Sequence, residues 1–147
     1  MPRHFLSKKG DKCDSQYECD VANSLFDRGI SYEHHPGPFP YSNNVIGGFC
    51  PHCDSNTVRQ SRMYTPDFRL FPSGRLVEAK GKFLKHQRGL MTHFVRTKDT
   101  KSPLSFIFQR DNYISRKTSD TRLTGWARRL KCESAVGIVI PEEWSKS

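Results

Sequence analysis

The run Tyr64-Thr-Pro-Asp67-Phe, Phe71-Pro72-Ser73-Gly74 and Val77-Glu78-Ala-Lys80-Gly81 restricts the fold of this chain more than any other stretch. Two β-prone segments flank a Pro and a Gly at the second and fourth positions of a type I turn, so Tyr64 to Leu70 and Arg75 to Lys80 are expected to form a β-hairpin. Side chains two apart in a strand share a face, so Val77 and Ala79 turn into a core while Glu78 and Lys80 project together from the other side. With the turn centred between Pro72 and Ser73, paired positions sum to 145. Asp67 then stands opposite Glu78, about 5 Å away at Cβ. A three-residue loop with Gly74 as a bulge would pair positions summing to 146 and send the two acids to opposite faces, so the register is left open by spacing alone.

The rest of the sequence supplies partners for that hairpin. From Ser15 to Arg28, the apolar residues Val21, Ala22, Leu25 and Phe26 recur at helical spacing, and Gly29 stands where a helix stops. Residues 30–41 look extended, and Asn43-Asn44 and Gly47-Gly48 interrupt the pattern. A second helix is expected from Phe83 to Val95 in spite of Gly89, and Leu104, Phe106 and Phe108 alternate as a strand does. Leu123, Trp126, Ala127 and Leu130 mark a last helix, and Ala135 to Ile140 a short strand ended by Pro141. The order predicts an α/β fold, a mixed sheet with helices packed against it. With 147 residues the chain suits one domain. Residues 1–14 read as a mobile basic N-terminal arm carrying Arg3, Lys8, Lys9 and Lys12. Residues 15–147 read as the domain, with an insertion at 47–62.

Lys and Arg number 24 against 15 Asp and Glu, and the net charge of +9 points to a polyanionic partner, phosphate backbones above all. There is no run of eighteen apolar residues and no apolar core of a signal peptide, so the expectation is a cytoplasmic protein without a membrane segment. Asp67 and Glu78 at hairpin separation are oxygen ligands suited to a hard cation such as Mg²⁺. A cation-bound water is then a natural nucleophile, and Lys80 on the same face orients it or offsets charge on a reacting phosphate. The plain alternative is an ordinary hairpin with a surface salt bridge. Glu18 has two readings as well. In Ser15-Gln-Tyr-Glu18 it completes a capping box, yet Ala22 and Leu25 share its face, which lays it over the sheet.

At this point the chain resembles the PD-(D/E)XK nucleases, and among them the phage endonuclease I family of junction-resolving enzymes. The resemblance rests on Ser15-x-x-Glu18, Tyr64-Thr-Pro-Asp67-Phe, Val77-Glu78-x-Lys80-Gly81, Phe106-x-Phe-Gln-Arg110 and Ile140-Pro-Glu-Glu-Trp144, in the family's order and across nearly the whole chain. It implies a restriction-endonuclease-like mixed sheet flanked by helices, in an intertwined homodimer with exchanged N-terminal elements. It also implies Glu18, Asp67 and Glu78 as metal-binding carboxylates, Lys80 as the lysine of the motif, Mg²⁺ or Mn²⁺ as cofactor, and branched double-stranded DNA such as a four-way junction as substrate. Gln109, Arg110 and Lys117 fall in a stretch similar to one near the family's DNA-binding surface. Lys82, Lys85 and Arg88 are further candidate phosphate contacts. Two other readings remain: a non-enzymatic, zinc-containing nucleic-acid-binding module, and another DNA nuclease of the PD-(D/E)XK type.

Cys13, Cys19, Cys50, Cys53 and Cys132 are an odd set in a chain without an export signal, which argues against a disulfide scaffold. Cys50-Pro-His-Cys53 has the spacing of zinc ligands but supplies only two of four. The others would come from Cys13, Cys19, His34 or His35, or from the same pair in a second chain. Otherwise Cys50 and Cys53 are free thiols.

Overall fold

A computed structural model describes residues 4–46, 57–115 and 121–147. Its centre is a five-stranded mixed sheet in the order β3 (Tyr32–His34), β6 (Phe68–Leu70), β7 (Leu76–Lys80), β8 (Leu104–Phe108) and β9 (Ser134–Val136). Pairs β3–β6 and β6–β7 are antiparallel, while β7–β8 and β8–β9 are parallel. Parallel neighbours need crossovers, and the two helices after the hairpin provide them: α2 (Lys85–Thr97) between β7 and β8, and α3 (Leu123–Arg129) between β8 and β9. The chain is therefore α/β, with helices against a mixed sheet. No helix among the described residues is long and apolar enough to cross a membrane.

Two cores lie on the two faces of this sheet. Val21, Ala22 and Leu25 of α1 (Gln16–Asp27) meet Phe68, Leu70, Val77, Ile107 and Trp144 on one side. Met91 and Phe94 of α2, with Leu123 and Ala127 of α3, meet Leu76, Leu104, Phe106 and Phe108 on the other. Strand β8 is buried at all five positions, because a central strand covered on both faces has no solvent side. Its one polar residue, Ser105, accepts from the Arg75 guanidinium at 2.7 Å.

The hairpin register is the one summing to 145, with Phe68 opposite Val77 and Arg69 opposite Leu76. Its turn is not the type I turn that Pro and Gly suggested. The Gly74 amide closes onto the Leu70 carbonyl at 2.8 Å, the Phe71–Pro72 peptide is cis, and Gly74 has φ +77°. A tertiary contact dictates this shape: the Ser73 amide and hydroxyl donate to the carbonyls of Ser145 and Trp144 at 3.0 and 2.6 Å.

Other segments also depart from expectation. Residues 4–13 are not a free arm. Strand β1 (Phe5–Leu6) pairs with β2 (Lys12–Cys13), the Lys8 amide donates to Asn23 at 2.8 Å, and Cys13 is fully buried. Tyr64 does not run into the hairpin, because Pro66 interrupts the strand. Instead it ends β5 (Thr57–Tyr64), which pairs along its whole length with β4 (Phe39–Ile46), from Phe39 opposite Tyr64 to Ile46 opposite Thr57. Part of the supposed insertion, residues 57–62, is thus one arm of a two-stranded ribbon. The ribbon docks on α2 through the Ser42 amide, which donates to the Thr97 hydroxyl at 2.8 Å. The expected strand to Ile140 stops at Val136, where Gly137 takes φ +107°, and a 3₁₀ turn over Glu142–Ser145 then buries Trp144. Cys50, Cys53 and Lys117 lie outside the described residues.

Candidate active site

Glu18 enters the site from the first turn of α1. Ser15 caps this helix, its hydroxyl accepting the Glu18 amide at 3.1 Å. The reciprocal half of the capping box slips by one residue: Glu18 Oε2 accepts the amide of Asp14, at 2.7 Å, and not that of Ser15. With Ala22 and Leu25 on its face, Glu18 is buried against the sheet at 3 % exposure. Its Oε1 faces two imidazoles, with His35 Nε2 at 3.1 Å and His34 Nε2 at 3.6 Å. Burial alone would raise the carboxyl's pKa. The His34 contact, a hydrogen bond to Asp67, the Asp14 amide and His35 outweigh it and bring the group down to about 2.

Asp67 is placed by the ends of two ladders. The β3–β6 register puts His34 opposite Phe68, and one step on the His35 amide donates to the Asp67 carbonyl at 2.8 Å. The β6–β7 ladder ends at Phe68–Val77, and beyond it the Asp67 carboxylate accepts the Ala79 amide at 2.7 Å. Burial, then the hydrogen bond and negative charge of Glu18, raise Asp67 well above the usual carboxylate range, against the pull of the Ala79 amide and Lys80. The two neighbours are thus driven in opposite directions, Glu18 down and Asp67 up.

Glu78 and Lys80 lie on the face of β7 opposite Val77 and Ala79, as period two requires. Glu78 is 1 % exposed, and the Tyr64 hydroxyl donates to its Oε2. Burial is the main reason its pKa rises to about 8. Glu18 adds to the rise, and Lys80 and the Asp67 amide oppose it. The Lys80 ammonium sits 5.7 Å from the Phe83 ring centroid.

Glu18, Asp67 and Lys80, but not Glu78, border an open cleft of about 510 Å³ that Asp14, Lys82 and Gln109 also line. Gly81 lets Gln109 approach, since a Cβ there would lie 3.1 Å from the amide oxygen. Lys82, Lys85 and Arg110 are exposed, whereas the Arg88 guanidinium donates to the carbonyl of Phe83. Sequence reasoning did not place Tyr64 on Glu78 or the two imidazoles on Glu18. The sole hint was Tyr32-x-His34-His35, a strand-like stretch of unassigned register.

The oxygen donors of Glu18 and Asp67 suit a hard divalent cation, which takes one or two carboxylates and fills its remaining positions with water and substrate phosphate. Glu78 is turned to Tyr64 and is not gathered with them. Among the described residues, His, Cys, Asp and Glu ligand atoms lie within 4.8 Å of one another in two trios, Cys13–Glu18–His34 and Asp14–Glu18–His35. No protein-family model matches the chain, and no curated protein matches it.

Proposed function

We propose that this protein is a divalent-cation-dependent DNA endonuclease that hydrolyses phosphodiesters in branched duplexes such as four-way junctions. The supporting observation is the meeting of Glu18 from α1 and Asp67 from the hairpin in one cleft, beside Lys80 on the next strand. Burial and the charge of Glu18 oppose ionisation of Asp67, and a divalent cation beside both carboxylates would offset that cost. Mg²⁺ or Mn²⁺, held by Glu18, Asp67 and Glu78, would supply Lewis acidity and a water of lowered pKa.

The chain's own groups then have separable roles. Glu18 and Asp67 would offer the cation carboxylate oxygens, and Glu78, once free of the Tyr64 hydroxyl, would offer a further one. The Lys80 ammonium offsets charge developing on the phosphoryl oxygens. Lys82, Lys85 and Arg110 bind phosphates, and Arg88 extends that set. Such contacts give affinity but carry no sequence information, so selectivity rests on the shape of the branch. The reading includes a homodimer with exchanged N-terminal elements, because two protomers present two clefts to a junction of near two-fold symmetry.

A four-way junction and a linear duplex of the same sequence, each with Mg²⁺ or with EDTA, test this. Cleavage of the junction alone, in Mg²⁺ alone, is the expected result. Tight junction binding without cleavage in either Mg²⁺ or Mn²⁺ would overturn it.

A further inference from the structure

The acid and lysine arrangement leaves the imidazole beside Glu18 unexplained. Among the described residues none hydrogen-bonds to the buried His34 Nε2, whose side chain is 9 % exposed. The nearest acceptor, Glu18 Oε1, is 3.6 Å away, too far for a hydrogen bond and better engaged by His35 at 3.1 Å. Buried polar atoms in a native fold almost always have a partner, so a ring nitrogen held only by this 3.6 Å ion-pair approach to Glu18 leaves a ligand position open. Beside it is Cys13 Sγ, which makes a long 3.9 Å approach to the Asp11 carbonyl and has the Cys19 thiol as a neighbour. Thiol, carboxylate and imidazole ligand atoms here lie within 4.8 Å of one another. A zinc ion with bonds of about 2.0–2.3 Å holds its ligands roughly 3.3–3.8 Å apart, so closure takes shifts on the order of 1 Å.

We propose that Cys13, Glu18 and His34 form a site for a borderline-soft divalent cation, Zn²⁺ foremost, of whose ligands only Glu18 also lines the acidic cleft. The donor chemistry makes the choice. Sulfur and imidazole nitrogen select zinc-like ions and are poor ligands for Mg²⁺ or Ca²⁺. The three ligands come from three separate elements, β2, α1 and β3, so a bound ion pins the N-terminal hairpin and the first helix to the sheet edge. His35, stacked on His34 with ring centroids 3.7 Å apart, is the residue at hand for a fourth position. Glu18 serves both neighbourhoods because a carboxylate has two oxygens with several lone pairs.

Cys50 and Cys53 have zinc spacing of their own, so the test uses the full chain carrying Cys50→Ser and Cys53→Ser. Titration with Co²⁺ should give one tightly bound ion per chain, with visible bands of tetrahedral geometry and a near-ultraviolet thiolate-to-metal band, all displaced by Zn²⁺. Adding Cys13→Ser should abolish the thiolate band. Adding His34→Gln should weaken Co²⁺ and Zn²⁺ more than about a hundredfold, beyond the loss usual for a residue that only supports a ligand. Far-ultraviolet circular dichroism checks that each variant folds, and if one does not, the other decides. Absence of the thiolate band before either substitution, or its survival after both, would overturn the proposal. No readout depends on DNA cleavage, so the outcome is independent of the nuclease reading.

Discussion

Replacing Glu78 with Gln should stabilise the fold while removing the proposed junction cleavage. Glu78 is 1 % exposed and its pKa stands at about 8 in the fold, against an ordinary 4.5. The sign follows from linkage: a carboxyl whose pKa is raised on folding contributes its full stability below 4.5, and that contribution is lost as pH rises to 8. At about 1.4 kcal/mol per pH unit, the cost is about 3 kcal/mol at pH 7 and about 5 kcal/mol at pH 9. Gln keeps the size, still accepts the Tyr64 hydroxyl, and does not ionise. In EDTA, Glu78→Gln should therefore match the parent near pH 4.5 and exceed it by about 3 kcal/mol at pH 7, roughly 9 °C in Tm for a chain of this length. Urea unfolding followed by circular dichroism at pH 4.5, 7 and 9 measures it. A stability difference that does not grow with pH would refute the argument that this carboxyl is buried against its own ionisation.

Three further outcomes follow from the same geometry. Asp67→Asn and Lys80→Ala should each slow single-turnover junction cleavage by about 10²–10⁴-fold with binding in a gel shift changed only a few-fold, since the phosphate contacts survive; a fully active Asp67→Asn would remove Asp67 from the site. Mg²⁺ affinity measured by calorimetry should rise with pH up to about 8, with proton release seen in buffers of different ionisation enthalpy, because Glu78 and Asp67 both bind protons in the absence of the ion; a flat profile would contradict this. Glu18→Gln should carry the opposite stability sign from Glu78→Gln: with its pKa brought down to about 2, Glu18 stabilises above 4.5 and the benefit is lost as pH falls towards 2, so the variant should be weaker at pH 7 and level with the parent near pH 2 in denaturant titrations.

The central hairpin and first helix were legible because burial enforces their periodicity. Val77 and Phe68 must both enter one core, which fixes the sum of 145 and sends Glu78 and Lys80 to the opposite face. Ala22 and Leu25 likewise settle where Glu18 points. The ribbon β4–β5 was not legible, since Ser42-Asn-Asn and Arg59-Gln-Ser-Arg62 offer no apolar alternation. What holds it is its own ladder and the anchor of Ser42 on Thr97, 55 residues away. Lys8 meeting Asn23 and Ser73 meeting Trp144 are of the same kind. Local propensity reads one segment at a time and is overruled wherever a distant partner supplies the hydrogen bond.

The three acids differ in a way that burial alone does not produce. All three are desolvated, yet Glu18 is held near 2 and Glu78 near 8, with Asp67 raised beside them. Environments that drive neighbouring carboxyls apart are typical of sites that exchange protons or cations, although structural ion pairs also shift pKa values. What distinguishes this case is direction. An ion pair lowers the carboxylate it holds, whereas here two of the three are raised, chiefly by burial, with Glu18 the leading charge neighbour of Asp67 and Lys80 that of Glu78. Glu18 owes its low value first to His34, which does not line the cleft, and then to Asp67, which does. One carboxylate therefore links two neighbourhoods whose remaining members do not overlap. Cys13 and His34 report on one side of it, Asp67 and Lys80 on the other, and substitutions on either side separate a soft-metal site from phosphodiester chemistry.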